Sequence, residues 1–154
     1  MRLKDIIIVS LIFLLDRISK IYVIHLDETL LNSEIITSKF INIQLIWNEG
    51  VAFGLFAFDD KSFYNLITGF IIIVILTLIY FIRKTRGIEK YSFIAILGGA
   101  LGNVFDRFLY SAVPDFIDIH YQNFHWFIFN VADIFITLGI FLLIILEIFP
   151  KKKI

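Results

Sequence analysis

Long blocks of apolar residues separate shorter polar stretches along this chain, and their lengths are typical of membrane helices. The clearest block runs from Phe63 to Ile82, and at about 1.5 Å per helical residue its 20 residues cross a hydrocarbon core roughly 30 Å thick. Two further blocks lie at 91–109 and 127–149, and a less regular one lies at 6–24. The pattern predicts a bundle of four transmembrane helices at these positions.

The first block has a second interpretation, because Arg2 and Lys4 before the apolar run Ile6–Leu15 are also typical of a secretory signal peptide. No cleavage site of the small-x-small type follows that run, and apolar residues resume at Ile21–Ile24. We therefore expect the segment to be the first helix of a single integral membrane domain that covers residues 1–154.

The positions of Lys and Arg predict which connections lie in the cytoplasm. Nine of the 14 basic residues lie before the first block, between the second and third blocks, or after the fourth. The positive-inside rule then places both termini and the loop 83–90 in the cytoplasm. The connections 25–62 and 110–126, whose only basic residues are Lys39 and Lys61, are predicted to lie on the other side.

The first outer connection contains a strand pattern and an aromatic strip. Residues Ile41–Leu45 alternate between apolar and polar side chains, which predicts a half-buried strand. Asn48–Gly50 is a turn signal, and the strip Ala52–Phe58 suits the membrane interface, where it could form a mobile lid. The predicted fold is an all-α membrane protein, a four-helix bundle with a small extracytoplasmic β-sheet resting on the membrane surface.

Composition places the chain outside the soluble class. Hydrophobic residues make up 59% and charged residues 18%, against roughly 45–50% and 25% in soluble globular proteins. The net charge of zero argues against a nucleic-acid partner. The absence of cysteine excludes a disulfide scaffold, a thiolate zinc site and a cysteine nucleophile.

Polar residues inside the predicted spans indicate a site in the outer half of the membrane. An ionisable group in a span costs a few kcal/mol, so each needs a partner or a function. Asp16 and Lys20 lie four residues apart and predict an ion pair on one helix face, while Gly98 and Gly102 predict close helix packing. The polar residues that converge on this leaflet are Asp16, Arg17, Lys20, Asn103, Asp106, Arg107, Asn130 and Asp133.

Two carboxylates, Asp115 and Asp133, have no obvious cationic neighbour in the sequence. If the short outer connection brings them together, like-charge repulsion makes them share a proton, which is how aspartic proteases activate water. One carboxylate would take a proton from the water while the other polarises the scissile carbonyl. Asp118 competes with Asp115 for this role, and the neighbouring residues do not separate the two.

Other chemistries fit the sequence less well. Membrane acids are also typical of a small proton-coupled transporter, but transporter sites lie near the midplane at a repeat interface, and the sequence shows neither condition. The histidines lack His-Glu-x-x-His spacing, and no metal site is predicted. Nothing places a serine beside a lysine for a Ser/Lys mechanism. The residues considered were His25, His120, His125, Ser33, Ser38, Ser111, Lys39 and Lys61.

Four motifs, in this order along the chain, resemble those of lipoprotein signal peptidases, the bacterial type II signal peptidases. The motifs are Asp16–Lys20 (DRISK), Asn48–Phe53 (NEGVAF), Gly98–Arg107 (GGALGNVFDR) continuing to Val113–Phe116 (VPDF), and Phe129–Asp133 (FNVAD). The resemblance covers the chain from end to end. It implies a membrane aspartyl endopeptidase that cuts prolipoproteins before the diacylglyceryl-modified Cys and needs no cofactor.

The resemblance also implies roles for individual residues. Asp115 and Asp133 correspond to the catalytic pair, which leaves Asp118 outside it. Pro114 departs from the aliphatic residue usual in the family. Positions implied to bind substrate are Asn48, Asn103, Arg107 and Asn130, and those implied to support the site are Asp16, Lys20, Gly50, Phe53, Gly102 and Asp106. Lipid-modified prolipoproteins and membrane phospholipids are the expected partners of a monomer in the bacterial inner membrane, with its site near the extracytoplasmic face.

Overall fold

A computed structural model describes residues 1–30, 34–50 and 61–149, with the backbone alone for Glu34 and residues 61–68. The predicted aromatic strip at 52–58, including Phe53, lies outside the described residues. The elements in chain order are α1 (Leu3–Leu30), β1 (Glu34–Ile36), β2 (Ile41–Asn48), α2 (Lys61–Lys84), α3 (Gly87–Tyr110), β3 (Val113–Tyr121), β4 (Phe124–Phe129) and α4 (Val131–Ile148).

Four helices form most of the described chain, and a search of the described residues alone finds two of them long and apolar enough to cross a membrane. These two are α3 and α4. In α1 the apolar sequence is interrupted by Asp16, Arg17 and Lys20. The structure is therefore mostly helical with a small sheet, and the crossing of the membrane by all four helices stays a prediction.

Helix α3 packs against the other three helices, and its glycines permit the closest approaches. A Cβ added at Gly98 would lie 2.8 Å from the Ile12 side chain of α1, and one at Gly102 would lie 2.4 Å from Asp16 Oδ2. On another face, a Cβ at Gly99 would lie 2.4 Å from the Ala132 carbonyl oxygen of α4. Since real Cβ atoms do not come so close to other atoms, larger residues at these positions would push the helices apart.

The apolar core lies between α1, α2 and α3. Ile94 is fully buried, and Ile82 of α2 and Leu97 of α3 are nearly so. The outward faces are also apolar, with Leu11 54% and Phe141 59% exposed. Burial of such side chains against lipid, instead of protein, is what a membrane bundle requires.

The four strands form one antiparallel sheet in the order β1-β2-β3-β4. The predicted strand Ile41–Leu45 lies within β2, as the alternation indicated. The predicted fourth helix at 127–149 begins too early, because Phe127–Phe129 belong to β4 and the helix begins at Val131. Apolar residues suit a strand as well as a helix, so hydropathy alone did not show this boundary.

The start of β3 and the end of β4 lie at the same end of the bundle. Strand β3 follows α3 after Ser111, which has a left-handed φ of 58°, and β4 leads directly into α4 through Asn130. In the β2–β3 register Asp115 lies opposite Ile46, and Val113 lies opposite Asn48. The connections therefore place Asp115 and Asp133 beside each other.

Candidate active site

A cavity of about 480 Å³ lies between α2, α3, α4 and the start of β3. Its wall is mainly apolar and includes Val74, Ile96 and Ile136. All six residues predicted to react with or bind a substrate line it, namely Asn48, Asn103, Arg107, Asp115, Asn130 and Asp133. An apolar pocket with a few convergent polar groups is the usual form of a binding site.

Asp115 lies near the start of β3 and is 4% exposed. Its Oδ2 accepts a hydrogen bond from Asn48 Nδ2 at 2.8 Å, and its Oδ1 accepts one from Asn130 Nδ2 at 2.5 Å. The sheet register explains the first bond, because Asn48 of β2 lies diagonally opposite Asp115 of β3. Both oxygens of this carboxyl group thus have donors.

Asp133 lies in the first turn of α4 and forms a capping box with the N-cap residue Asn130. Asp133 N donates to Asn130 Oδ1 at 3.2 Å, and Asn130 N donates to Asp133 Oδ2 at 3.1 Å. The other oxygen, Oδ1, accepts from Asn103 Nδ2 of α3 at 2.8 Å. Asn130 therefore contacts both carboxyl groups and fixes one relative to the other.

The electrostatic environment favours a proton on this pair. Burial, with the nearby Asp133 carboxylate as a second cause, raises the pKa of Asp115 to about 6. The amides of Asn48 and Asn130 act in the opposite direction. Two neighbouring carboxyl groups that hold one proton between them can activate water as a base and polarise a carbonyl as an acid.

A cluster of buried charges lies behind the pair, between α1 and α3. Lys20 Nζ contacts Asp16 at 3.0 Å and Asp106 Oδ2 at 2.6 Å, and Arg17 also pairs with Asp106. Asp16 Oδ1 accepts from the backbone N–H of Ala132 at 3.0 Å, next to Asp133. The predicted Asp16–Lys20 contact is present. Lys20 also pairs with Asp106, and this second contact links α1 to α3.

Arg107 connects α3 to the turn after β2. Its Nη2 donates to the Gly50 carbonyl at 2.9 Å, and its Nη1 donates to the Asn103 carbonyl at 3.1 Å. Gly50 N in turn donates to Asn48 Oδ1 at 2.9 Å. The turn signal at Asn48–Gly50 therefore positions one of the donors to Asp115.

Asp118 takes part in a separate set of contacts. It is fully buried, and its Oδ2 lies 2.8 Å from His125 Nδ1 and accepts from Gln44 Nε2 at 3.4 Å. It does not line the cavity. Among the residues that the structure describes, no three His, Cys, Asp or Glu side chains are arranged to hold a metal ion.

The structure adds residues that sequence reasoning did not include in the site. Arg17 was noted as polar but not assigned to the site, and it completes the buried charge cluster. Thr137 and Ile140 extend the cavity along α4 below Asp133. Their spacing of four and seven residues from Asp133 places them on the same face of α4, and this spacing was the available signal.

Phe70 and Ile71 of α2 also line the cavity, and no sequence pattern pairs that helix with the site.

Comparison with known proteins gives a consistent result. The family model described as signal peptidase (SPase) II matches residues 8–149. The lipoprotein signal peptidase of Pelagibacter ubique (strain HTCC1062) is 47% identical over 149 residues, which is 97% of this chain and 90% of that protein. The lipoprotein signal peptidase of Francisella tularensis subsp. novicida (strain U112) is 41% identical over 99% of this chain and 96% of its own.

A solved structure is similar over nearly the whole fold. It is a bacterial membrane enzyme determined by the in meso method at 2.3 Å resolution, and it superposes with a TM-score of 0.77 at 30% sequence identity. The match covers 97% of this chain and 92% of that chain. The helices and the sheet described above thus occur together in a membrane enzyme.

Proposed function

The chain belongs to the signal peptidase II family of aspartic peptidases, and from that membership we propose that Asp115 and Asp133 are its catalytic pair. It is a protease that cleaves the signal peptides of prolipoproteins. The observation that supports the pair is the convergence of both carboxyl groups on one apolar cavity, each hydrogen-bonded to Asn130.

The pair hydrolyses the peptide bond without a covalent intermediate. One carboxylate removes a proton from a water molecule, whose oxygen attacks the scissile carbonyl carbon, while the other carboxyl group donates a proton to the carbonyl oxygen. With a pKa of about 6, Asp115 retains the shared proton to a much higher pH than an ordinary aspartate does.

The substrate is a prolipoprotein whose Cys already carries a diacylglyceryl group, and the bond before that Cys is cut. Asn48, Asn103, Arg107 and Asn130 line the cavity beside the pair and are the polar contacts for the peptide and the lipid. The apolar side chains Phe70, Val74 and Ile140 supply a surface for acyl chains or for the apolar part of the signal peptide.

The architecture that suits this substrate has all four helices across the bacterial inner membrane. Both termini and the connection between α2 and α3 lie in the cytoplasm, and the sheet rests on the outer surface. The basic residues at 83–90 and the exposed apolar faces of α1 and α4 support this arrangement. One chain supplies all six residues proposed to react with or bind the substrate, which supports a monomer surrounded by phospholipid.

Separate Asp115→Asn and Asp133→Asn variants test the pair. We expect each to lower the rate of cleavage by about 10²- to 10⁴-fold, because each removes one acid–base group. The assay follows the shortened product of a lipid-modified prolipoprotein in purified, detergent-solubilised enzyme, with an unmodified prolipoprotein as the second substrate. Asp118→Asn is the matched control and should cleave at the wild-type rate.

Near wild-type cleavage by either variant would exclude the proposed pair. Loss of cleavage in Asp118→Asn alone would move the acid–base role to the other carboxyl group of β3. Absence of product from the lipid-modified substrate with the wild-type chain would remove the peptidase assignment itself.

A further inference from the structure

A buried lysine is connected to the catalytic pair through a single amide. Lys20 Nζ donates to Asn103 Oδ1 at 2.8 Å, and Asn103 Nδ2 donates to Asp133 Oδ1 at 2.8 Å. An ammonium group can only donate, so the Asn103 oxygen must face Lys20 and its NH₂ must face Asp133. Lys20 is fully buried, so it has no solvent-exposed alternative to this contact.

The two amides that donate to Asp115 are oriented by backbone N–H groups. The Asn48 oxygen accepts from Gly50 N at 2.9 Å, and the Asn130 oxygen accepts from Asp133 N at 3.2 Å. These contacts turn both NH₂ groups toward Asp115. Since a donor polarised by a positive charge binds an anion more strongly, the contact of Lys20 with Asn103 favours the ionised form of Asp133.

The buried charges near Asp133 are neutral as a set, so their effect on Asp133 depends on which of them lies closest to it. Two cations and two carboxylates contact one another there, and their charges sum to zero: Arg17, Lys20, Asp16 and Asp106. Of this cluster, the ammonium group is the member that contacts the amide of Asn103. On the other sides, Asp133 faces the Asp115 carboxyl group and shares the cavity with Arg107.

The start of α4 adds a second preference for charge at Asp133. This residue lies in the first turn of the helix, and its Oδ2 accepts the backbone N–H of Asn130. The aligned peptide dipoles favour a negative charge at the N-terminal end of a helix. Asp115 lies on a strand and has no such contribution.

We propose that Lys20 is a positioning residue for the reaction, which through Asn103 keeps Asp133 as the ionised carboxylate and leaves the shared proton on Asp115. Asp133 is then the general base, and Asp115 is the general acid. This assignment rests on the proposed function of the pair and goes beyond it by giving each carboxyl group one role.

The proton movements balance over one cycle. The Asp133 carboxylate takes a proton from water as the water oxygen bonds to the carbonyl carbon, and Asp115 gives its proton to the carbonyl oxygen. Asp133 then protonates the amide nitrogen as the C–N bond breaks. A hydroxyl of the intermediate returns a proton to Asp115, so the product acid, the new amine and the starting protonation states result.

The pH dependence of kcat/KM tests the assignment, since its limbs report the acid and the base of the free enzyme. Lys20→Met removes the ammonium group at similar length, and Asn103→Leu removes the amide while leaving all four buried charges in place. We expect both to move the acid limb of the profile upward by about one pH unit, because the Asp133 carboxylate loses a donor. The basic limb should stay in place in Asn103→Leu. In Lys20→Met it should also move upward, because the Lys20 charge lowers the pKa of Asp115 as well.

The matched control is Asn48→Leu, which removes a donor to Asp115 instead. Since the Asn48 amide lowers the pKa of Asp115, its loss should move the basic limb upward and leave the acid limb in place. The reverse assignment of acid and base follows if Asn48→Leu moves the acid limb and Asn103→Leu moves the basic limb.

The result for Asn103→Leu decides the proposal if Lys20→Met does not fold, which a thermal unfolding curve in detergent would show. An acid limb at the wild-type pH in Asn103→Leu overturns the proposal. If Asp115→Asn or Asp133→Asn still cleaves, the proposed pair fails. If both are inactive and the limbs do not move as stated, only the role of Lys20 and Asn103 fails.

Discussion

At the scale of single residues, Asp115 differs from an ordinary acid because the protein surrounds it almost completely. It is 4% exposed, and burial raises its pKa from an ordinary value of 3.8 to about 6. The same burial that prepares the carboxyl group for proton transfer makes its ionised form costly to the folded state. The site thus exchanges stability at neutral pH for reactivity.

This exchange predicts a pH-dependent difference in stability between the wild type and Asp115→Asn. Because the folded pKa is raised, the stabilising contribution of Asp115 is present below pH 3.8 and is lost as the pH rises through about 6. We expect the wild type to lose about 2–3 kcal/mol between pH 4 and pH 7 that the Asn variant does not lose.

Thermal unfolding in detergent at several pH values measures this difference. The Tm of the wild type should fall relative to that of the variant as the pH rises, whatever constant offset the substitution introduces. Parallel Tm curves over this range would show that Asp115 titrates at the same pH in the folded and unfolded chains.

At the scale of elements, the sequence predicts where helices and strands lie better than it predicts how they contact one another. Hydropathy located four helices as long apolar blocks and β2 as an alternation of apolar and polar residues, because each property is local. It placed the start of the fourth helix at 127, because Phe127–Phe129 are as apolar as a helix and only the N-cap Asn130 marks the boundary. The contact of Lys20 with Asn103 spans 83 positions, and no local pattern contains it.

The interface of α3 and α4 is tight at Gly99, and this predicts an effect on both packing and cleavage. A Cβ there would meet the backbone oxygen of Ala132, which cannot rotate away. We expect Gly99→Ala to cost about 1–3 kcal/mol of stability by overpacking, and to lower cleavage because α4 carries Asp133.

Gly69→Ala in α2 is the matched control, since no neighbouring atom of the described residues lies within 4 Å of its added Cβ. Alanine is the better helix former, so Tm should stay the same or rise. Thermal unfolding and the prolipoprotein assay on both variants measure the two effects. An unchanged Tm and rate in Gly99→Ala would mean that α4 can shift away from α3 without loss to the site.

At the scale of the whole molecule, a net charge of zero conceals a separation of charge along the chain. Nine of 14 basic residues lie at the predicted cytoplasmic positions, whereas the proposed catalytic carboxyl groups lie where the sheet meets α4. A lipid-anchored substrate presents its cleavage site at the membrane interface, so the chemistry has to be placed at that depth. The orientation of the bundle therefore decides whether the pair can reach its substrate.

Single-cysteine labelling tests this orientation directly, because the chain contains no cysteine of its own. Asn123→Cys introduces a thiol at the exposed turn between β3 and β4, and Glu89→Cys introduces one at the exposed start of α3. We expect a membrane-impermeant maleimide to label Asn123→Cys from outside intact inner membranes, and to label Glu89→Cys only after permeabilisation, because basic loops remain in the cytoplasm. Cleavage activity of both variants serves as the control for native insertion. Labelling of Glu89→Cys from outside would invert the topology and place the carboxyl pair on the cytoplasmic side, where it could not serve a substrate whose lipid anchor lies in the outer leaflet.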